Sequence, residues 1–496
     1  MSTLIPQIKF PEIIIGLVAP IGSEVSQTVE ELTTAFSNID YNVINIRVTK
    51  SFEKLEGIVS PETPLNETNI LERYRTFIGY GNQIREHCGD NSILAAIAVQ
   101  QVTEMRTAKK LDFVKNLFIL HQFKRPEEIE LLRSVYGRNF FQISVYSRRD
   151  ARVDILARKI SEDKKEANHD KHRSEAEELV HVDENQSKLQ YGQRVGKIFH
   201  DADFIVNSDV VEPSVSGQVD RFCELLFSSN SVTPTKIEYG MFAAKSAALR
   251  SSDLSRQVGA AIFTPESEIL SLGSNEVPRA FGGTYWAEEK YDARDFKLGY
   301  DSNQKRKTEL LDEVLEELDV SDDKMEGVVK KLSLMDALEY GRIVHAEMSA
   351  LMDAARVGTP VRGAVLFTTT FPCHMCAKHI VASGVKEVFF LEPYPKSLAS
   401  RLHSDSIAIE KGDRGRYSDY NGVSFTHFFG VTPRRYSELF QRQSRKENDG
   451  KFLEYTNGKK RPLVDIKFAA YAHLEKELLL LLREVLSEER GVDNGG

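Results

Sequence analysis

The chain is poor in cysteine, in tryptophan and in long apolar runs, and each scarcity excludes a class of protein. Its 496 residues include four cysteines and one tryptophan. So few cysteines provide no disulfide framework, which favours a reducing compartment. No segment approaches the roughly 18 consecutive apolar residues of a membrane-spanning helix, and residues 1–9 lack the pattern of a secretion signal. We therefore expect a cytoplasmic protein without a membrane partner.

An excess of positive charge is also missing. The 65 lysines and arginines are outnumbered by 74 aspartates and glutamates, which leaves a net charge of -9. A protein that coats nucleic acid by bulk electrostatics needs the opposite balance. A local basic pocket for phosphates stays compatible with this composition, and the length predicts two or three domains.

The most specific pattern is a histidine followed two residues later by a glutamate, with two closely spaced cysteines further along. These residues are His345, Glu347, Cys373 and Cys376, and Pro372 precedes the first cysteine. The pattern matches H-x-E…P-C-x-x-C, the signature of zinc enzymes that deaminate nucleobases. Three protein ligands leave the fourth zinc position open for water, as catalytic zinc sites require.

We predict one zinc ion per chain on His345, Cys373 and Cys376, with Glu347 as the general acid and base. Two other interpretations of the motif stay open. His374 or His379 could complete a closed structural zinc site. A redox C-x-x-C would leave the histidine and the glutamate unexplained. The remaining cysteines, Cys88 and Cys223, are expected to be buried as small apolar side chains.

The first domain is predicted over residues 10–230, where buried strands alternate with helices. The expected strands are residues 12–18, 41–48, 117–120, 140–146 and 204–206. Such alternation predicts an α/β fold with a doubly wound, mostly parallel sheet.

The turn after the first strand stands where a phosphate-binding loop would stand. Aligned on G-x-x-x-x-G-K-[ST], residues 19–26 keep the hydroxyl of Ser26 but have Val25 at the lysine position. The backbone at Gly22 and Ser23 could still bind an anion at the helix N-terminus. We predict a nucleotide, with or without Mg²⁺, at Gly22, Ser23 and Ser26. Nucleotide sensing, phosphoryl transfer and a structural role all stay open.

The first domain, residues 10–230, resembles a P-loop nucleotide-kinase fold whose phosphate-binding loop has degenerated.

The second domain is predicted over residues 233–490, with an insertion at about 280–335. Residues 258–263 and 269–273 are typical of a hairpin. Further strands at residues 364–368 and 387–391 flank the cysteine motif, which predicts a mixed α/β layer.

Residues 241–392 resemble the deoxycytidylate deaminases of the cytidine deaminase superfamily. Two accompanying motifs carry the resemblance, Ser-Arg-Gln-Val-Gly-Ala at 255–260 and Gly-Ser-Asn-Glu-Val-Pro at 273–278. The resemblance implies an α/β/α cytidine-deaminase-like fold and a sugar-binding role for Asn275. In the alternative interpretation Asn275 only supports a turn.

The combination of a kinase-like region with a deaminase region resembles the bacterial anti-phage dCTP deaminases, as do residues 391–399 and 403–406. This resemblance implies deamination of dCTP, and of dCMP, to uracil nucleotides, which would deplete cytosine deoxynucleotides as an antiviral defence. It also implies a homo-oligomer and an inhibitory small RNA as a partner.

Two alternatives of other classes remain. One is a deaminase that acts on cytosine or adenine in RNA or single-stranded DNA, which would need a basic channel. The other is a nucleotide-sensing binding protein with a structural zinc. No motif marks the contacts to a triphosphate, for which Arg279, Lys396 and Arg401 are the candidates.

Overall fold

The computed structural model describes residues 8–186, 188–317, 335, 337–394, 396–410, 412, 414–442, 444–453, 462–464 and 466–487. The chain forms two compact units. The first unit comprises Met1–Thr233 and Phe429–Gly496, and the second unit comprises Pro234–Phe428. Among the described residues, no helix is both long enough and apolar enough to cross a membrane.

The strands of the described residues form two sheets. In chain order they are β1 (Ile13–Val18), β2 (Asn42–Arg47), β3 (Asn116–His121), β4 (Phe140–Tyr146), β5 (Phe204–Asn207), β6 (Gly259–Phe263), β7 (Ile269–Ser274), β8 (Val365–Thr370), β9 (Glu387–Glu392), β10 (Ile407–Ile409), β11 (Val423–His427) and β12 (Gly430–Val431).

The α-helices of the described residues range from one turn to five turns. In chain order they are α1 (Val25–Ser37), α2 (Phe52–Leu55), α3 (Ile70–Cys88), α4 (Ile93–Ala108), α5 (Pro126–Tyr136), α6 (Arg149–Asp163), α7 (Arg173–Glu184), α8 (Val195–Ile198), α9 (Val215–Leu226), α10 (Lys236–Ala248), α11 (Asp295–Leu298), α12 (Ser302–Glu317), α13 (Ala346–Val357), α14 (His374–Ser383), α15 (Ala399–Leu402), α16 (Tyr436–Phe440) and α17 (Tyr471–Ser487).

The sheet of the first unit has the strand order β12-β5-β4-β1-β3-β2. Strands β1 to β5 run parallel, and β12 pairs antiparallel with β5 at the edge. Every residue of β1 and β3 is buried, as expected for parallel strands that are covered on both faces. The mostly parallel sheet predicted from the sequence is therefore confirmed.

The end of the chain differs from the predicted domain boundary. The described residues from Phe429 onward pack into the first unit, although the sequence predicts a second domain that extends to residue 490. Buried Arg106 on α4 explains the difference, because it pairs with Glu12 at 2.6 Å and with Glu475 of α17 at 2.8 Å. Two buried carboxylates on one guanidinium hold the closing helix against the first sheet.

The sheet of the second unit has the order β10-β11-β9-β8-β6-β7. Strands β8, β9, β11 and β10 run parallel, and β6 pairs antiparallel with both β8 and β7. The predicted hairpin and the predicted strands around the cysteine motif are confirmed. The predicted insertion contains α11 and α12, while its residues 318–334 lie outside the described residues.

Two glycines let helices approach this second sheet closely. A Cβ atom on Gly273 of β7 would lie 2.2 Å from the carbonyl oxygen of Ala346 in α13. A Cβ atom on Gly259 of β6 would lie 2.0 Å from the carbonyl oxygen of Ala244 in α10. Real Cβ atoms do not come so near to a carbonyl oxygen. Glycine at position 273 therefore allows α13 to lie this close to β7.

Candidate active site

His345 and Glu347 lie at the start of α13. His345 has extended backbone angles and occupies the N-cap position, directly after Val344, which bridges to Glu276. Glu347 lies in the first turn and is 3 % exposed. Gly358 ends the helix with a φ of 78°. His345 and Glu347 are separated by one residue, so both side chains lie at the amino-terminal end of α13.

The two cysteines lie at the start of α14. Cys373 is the N-cap residue, and its Sγ accepts a hydrogen bond from the backbone N–H of Cys376 at 3.5 Å. The helix follows β8 after a short loop, so the carboxyl end of this central strand delivers the cysteines. Hydrogen bonds from Cys376 and from His345 lower the pKa of the Cys373 thiol, which favours the thiolate that a metal requires.

His345, Cys373 and Cys376 converge on one point. Nδ1 of His345 lies 3.3 Å from Sγ of Cys373 and 3.4 Å from Sγ of Cys376. All three potential ligand atoms lie within 4.8 Å of one another. Tetrahedral zinc with ordinary Zn–N and Zn–S bonds would hold nitrogen and sulfur about 3.6 Å apart. The donor set and its spacing therefore fit zinc, and the sequence-predicted ligands lie together.

Glu347 is buried beside this cluster. Burial and the neighbouring Cys373 raise the pKa of its carboxyl. Its Oε1 accepts a hydrogen bond from the hydroxyl of Thr368, a fully buried residue of β8, at 3.3 Å. Sequence reasoning missed Thr368. The sequence shows three consecutive threonines at the end of this strand, and it does not say which of their hydroxyls faces Glu347.

Asn275 lies near this cluster, and its side-chain amide forms hydrogen bonds with other residues of the chain. Its Nδ2 donates to Oδ2 of Asp253 at 2.9 Å and to the carbonyl oxygen of Arg256 at 2.8 Å. Its Oδ1 accepts from the backbone N–H of Val258 at 2.7 Å. These contacts hold the loop before β6 in place. One lone pair of Oδ1 stays available for a further donor.

The cavity beside the metal ligands has a volume of about 180 Å³. His345, Glu347, Cys373 and Asn275 line it together with two arginines, Arg256 and Arg342. None of the cations proposed from the sequence, Arg279, Lys396 and Arg401, is among its lining residues within the described part of the chain.

The two cavity arginines each have an acidic partner. Arg256 pairs with Glu392 at 3.1 Å, and its guanidinium lies 5.1 Å from the ring centroid of Tyr394. Arg342 pairs with buried Asp295 at 2.9 Å. Sequence reasoning did not select either arginine, because their approach to His345 depends on loops whose course the sequence pattern does not determine.

The residues predicted to bind a nucleotide, Gly22, Ser23 and Ser26, lie in the first unit. Gly22 and Ser23 lie in the turn between β1 and α1, and Ser26 lies in the first turn of α1. All three line a separate cavity at the carboxyl edge of the first sheet. Gly22 has a φ of 87°, a left-handed conformation that glycine adopts without strain.

Residues 234–392 match the family model described as "Cytidine and deoxycytidylate deaminase zinc-binding region". This segment is similar to the zinc-binding region of cytidine and deoxycytidylate deaminases. It contains all three metal-ligand candidates and Glu347, together with Asn275 and both cavity arginines. The match begins at the boundary between the two units and ends with β9.

Several curated proteins that are similar to this segment are deoxycytidylate deaminases. The enzyme of Pongo abelii is 28 % identical over 176 residues, which are 35 % of this chain and 75 % of the relative. The human enzyme is 28 % identical over 31 % of this chain and 63 % of its own length. The enzyme of Enterobacteria phage T4 is 43 % identical over 54 residues, 11 % of this chain and 28 % of the relative.

Among solved structures, the dCMP deaminase of cyanophage S-TIM5 in complex with dCMP and dUMP is similar to this chain. It is 18 % identical, and the alignment covers 40 % of this chain and 100 % of the phage protein with a TM-score of 0.23.

Proposed function

We propose that the second unit is a zinc-dependent hydrolase that deaminates free deoxycytidine nucleotides, converting dCMP to dUMP and dCTP to dUTP. The convergence of His345, Cys373 and Cys376 beside buried Glu347 is the observation that supports this proposal most directly. The deoxycytidylate deaminases that match the same segment support the choice of substrate class.

Glu347 performs the proton transfers of the proposed reaction. A zinc ion held by His345, Cys373 and Cys376 would supply a Lewis acid that lowers the pKa of water toward neutrality. Glu347 accepts a proton from the attacking water as a C–O bond forms at C4 of cytosine. It passes this proton to ring nitrogen N3, then takes the second proton from the new C4 hydroxyl and delivers it to the departing amine, so that the C4 oxygen becomes a carbonyl. The C4–N bond breaks, and ammonia leaves. Burial raises the pKa of Glu347, which favours a carboxyl that can hold a proton as well as accept one.

In our proposal Asn275 and Arg256 recognise the nucleotide. In our proposal the free lone pair of Asn275 Oδ1 accepts a hydrogen bond from the sugar hydroxyl. Arg256 is partly exposed at the cavity, where its guanidinium can bind a phosphate in competition with Glu392. The backbone carbonyl of Arg256 accepts from Asn275, so the proposed sugar and phosphate contacts belong to one connected loop.

We extend the proposal to dCTP and to an antiviral role on the resemblance of residues 391–399 and 403–406. Loss of dCTP and dCMP removes precursors that viral DNA synthesis consumes. In this extension Arg256 and Arg342, which line the cavity of about 180 Å³, are the candidates to contact the additional phosphates of a triphosphate.

The test is a substrate panel with the full-length, zinc-loaded protein. Ammonia release is measured with dCMP, dCTP, CTP, AMP and a short single-stranded RNA. We expect release from dCMP and dCTP, and a loss of about 100-fold or more in kcat for Glu347→Gln with the zinc content unchanged. The proposal fails if Glu347→Gln matches the wild-type protein, or if only the RNA is deaminated.

A further inference from the structure

The first unit contains a cavity of about 510 Å³ at the carboxyl edge of its sheet. Residues from the ends of β1, β2 and β3 line it, including Leu17, Arg47 and His121. Ligands of open α/β sheets bind outside the carboxyl ends of the strands. The volume lies in the range of small-molecule sites, which is roughly 300–1,000 Å³. The position and the size both indicate a ligand site that is distinct from the deaminase cavity.

A carboxylate of the chain itself fills the anion position of the β1–α1 turn. Asp183 of α7 is fully buried, and its Oδ2 accepts from the backbone N–H of Ile21 at 2.7 Å. Its Oδ1 lies 2.7 Å from Nζ of Lys124, and that lysine also donates to the carbonyl oxygen of Ala19 at 3.0 Å. A backbone N–H and a lysine at one turn are the groups that would hold a phosphate. Here Asp183 holds both.

Neighbouring helices fix the turn in this state. A Cβ atom on Gly22 would lie 2.7 Å from the carbonyl oxygen of Arg152 in α6, so the two backbones are in close contact. Arg152 also pairs with Glu184 of α7 at 2.5 Å. Because α7 carries Asp183, the same packing that closes the turn keeps the carboxylate in its place.

Positive charge without an acidic partner lies elsewhere in the cavity. Arg47, Arg73 and Lys159 line it, and within the described part of the chain none of them forms an ion pair. The other basic lining residues are neutralised, since Arg85 pairs with Glu128 at 2.7 Å and Lys124 pairs with Asp183. The three unpaired cations come from β2, α3 and α6, so they surround the opening from separate elements.

Aromatic side chains accompany these cations. Phe52, Tyr74 and Phe77 line the same cavity. The guanidinium of Arg73 lies 5.1 Å from the ring centroid of Phe77. Aromatic faces bind planar rings, and arginine forks bind phosphate oxygens. The lining therefore offers complementary partners to both halves of a phosphorylated aromatic ligand.

We propose that this cavity binds a nucleotide whose phosphates contact Arg47, Arg73 and Lys159, while Asp183 closes the β1–α1 turn to phosphate. The proposal goes beyond the deaminase function, because it concerns the first unit alone. It also changes the predicted role of Ser26, which would donate a hydrogen bond to a phosphate, or coordinate a bound metal through its oxygen, only if the turn were open.

The test is calorimetric titration of the full-length protein with ADP, with GDP and with inorganic pyrophosphate. We expect at least one of the purine nucleotides to bind, with pyrophosphate as a competitor. Arg47→Ala and Arg73→Ala should each weaken binding by about tenfold or more, because each removes a charge-assisted contact. Arg75→Ala is the matched control, since Arg75 lies on the same helix, pairs with Glu72 and Glu178, and does not line the cavity.

Ser26→Ala distinguishes this binding mode from a phosphate on the turn. We expect the affinity of Ser26→Ala to equal that of the wild-type protein, and a tenfold loss would overturn the proposal. Absence of binding at millimolar probe would overturn it as well, and so would unchanged affinity in both arginine variants. Thermal melting shows whether each variant is folded. If Arg47→Ala or Arg73→Ala does not fold, Lys159→Ala, at an exposed position, is measured in its place.

Discussion

The hydroxyl of Thr368 lies 3.3 Å from Oε1 of Glu347 and 3.0 Å from the carbonyl oxygen of Thr370. A hydroxyl has one hydrogen to donate and two lone pairs with which to accept. When Glu347 is ionised, Thr368 can donate to its carboxylate. When Glu347 is protonated, it can donate to Thr368, whose hydrogen then turns to Thr370. Both protonation states of Glu347 therefore keep a hydrogen-bond partner.

We predict that Thr368→Val lowers kcat for dCMP by about 10- to 100-fold and leaves KM close to the wild-type value. The reason is that a hydrogen bond to a charged group contributes about 1.5–3 kcal/mol, and Thr368 acts on Glu347 rather than on the substrate. Steady-state ammonia release measures both constants. Thr368→Ser, which keeps the hydroxyl, should restore kcat to within a few-fold, and a fully active Thr368→Val would contradict this positioning role.

Zinc content should depend on the three clustered residues and not on the other cysteines. We expect Cys376→Ser to lose most of its zinc, because an alcohol at this position replaces a thiolate ligand. Cys223→Ser is the matched control, since Cys223 is also a buried free cysteine but belongs to the first unit. Metal analysis of the purified variants gives the answer. Equal zinc in the two proteins would show that the ion binds elsewhere.

Gly273 should be essential for the position of α13. We predict that Gly273→Ala lowers both zinc content and thermal stability, because the new Cβ would meet the backbone of Ala346 and Ala350 at 2.2 and 2.4 Å. Overpacking of this kind typically costs about 1–3 kcal/mol. Gly79→Ala is the control, as no atom lies within 4 Å of a Cβ at that helical position. A Gly273→Ala protein with full zinc and an unchanged melting temperature would contradict the prediction.

The chemistry of the candidate site could be predicted from the sequence because its key residues are close together along the chain. His345 and Glu347 share the start of one helix, and Cys373 and Cys376 share the start of another. Local periodicity likewise predicted β1 to β9, but not the later strands β10, β11 and β12. These features depend on neighbours within a few positions, which is the range over which a sequence pattern carries information.

Features that depend on distant pairs could not be predicted. Arg106 joins Glu12 to Glu475 across more than 360 positions, and this pairing places the closing helix in the first unit. Asp183 reaches the β1–α1 turn across 162 positions. The degenerate motif at residues 19–26 showed that a lysine was missing, but only the structure shows a carboxylate at the anion position.

The stability of the first unit should decrease in mild acid because of His121. Burial, together with the charge of Arg47, lowers the pKa of His121 to about 4, below the value of about 6.5 in an unfolded chain. The folded state therefore binds fewer protons. The contribution of neutral His121 is present above pH 6.5 and is lost progressively as the pH falls toward 4. Between pH 7 and pH 5 this loss amounts to about 2 kcal/mol.

We predict that His121→Gln reduces this pH dependence. Glutamine can still donate to Oδ1 of Asn45, the partner of His121 Nε2, but it has no proton to gain in this range. Native-state hydrogen exchange of the β3 amides, corrected for intrinsic rates, gives the opening free energy at pH 7 and at pH 5. The difference between the two pH values should be about 2 kcal/mol larger in the wild-type protein than in the variant. Equal differences would mean that the folded protein accommodates a protonated His121, and the histidine would then contribute nothing to acid sensitivity.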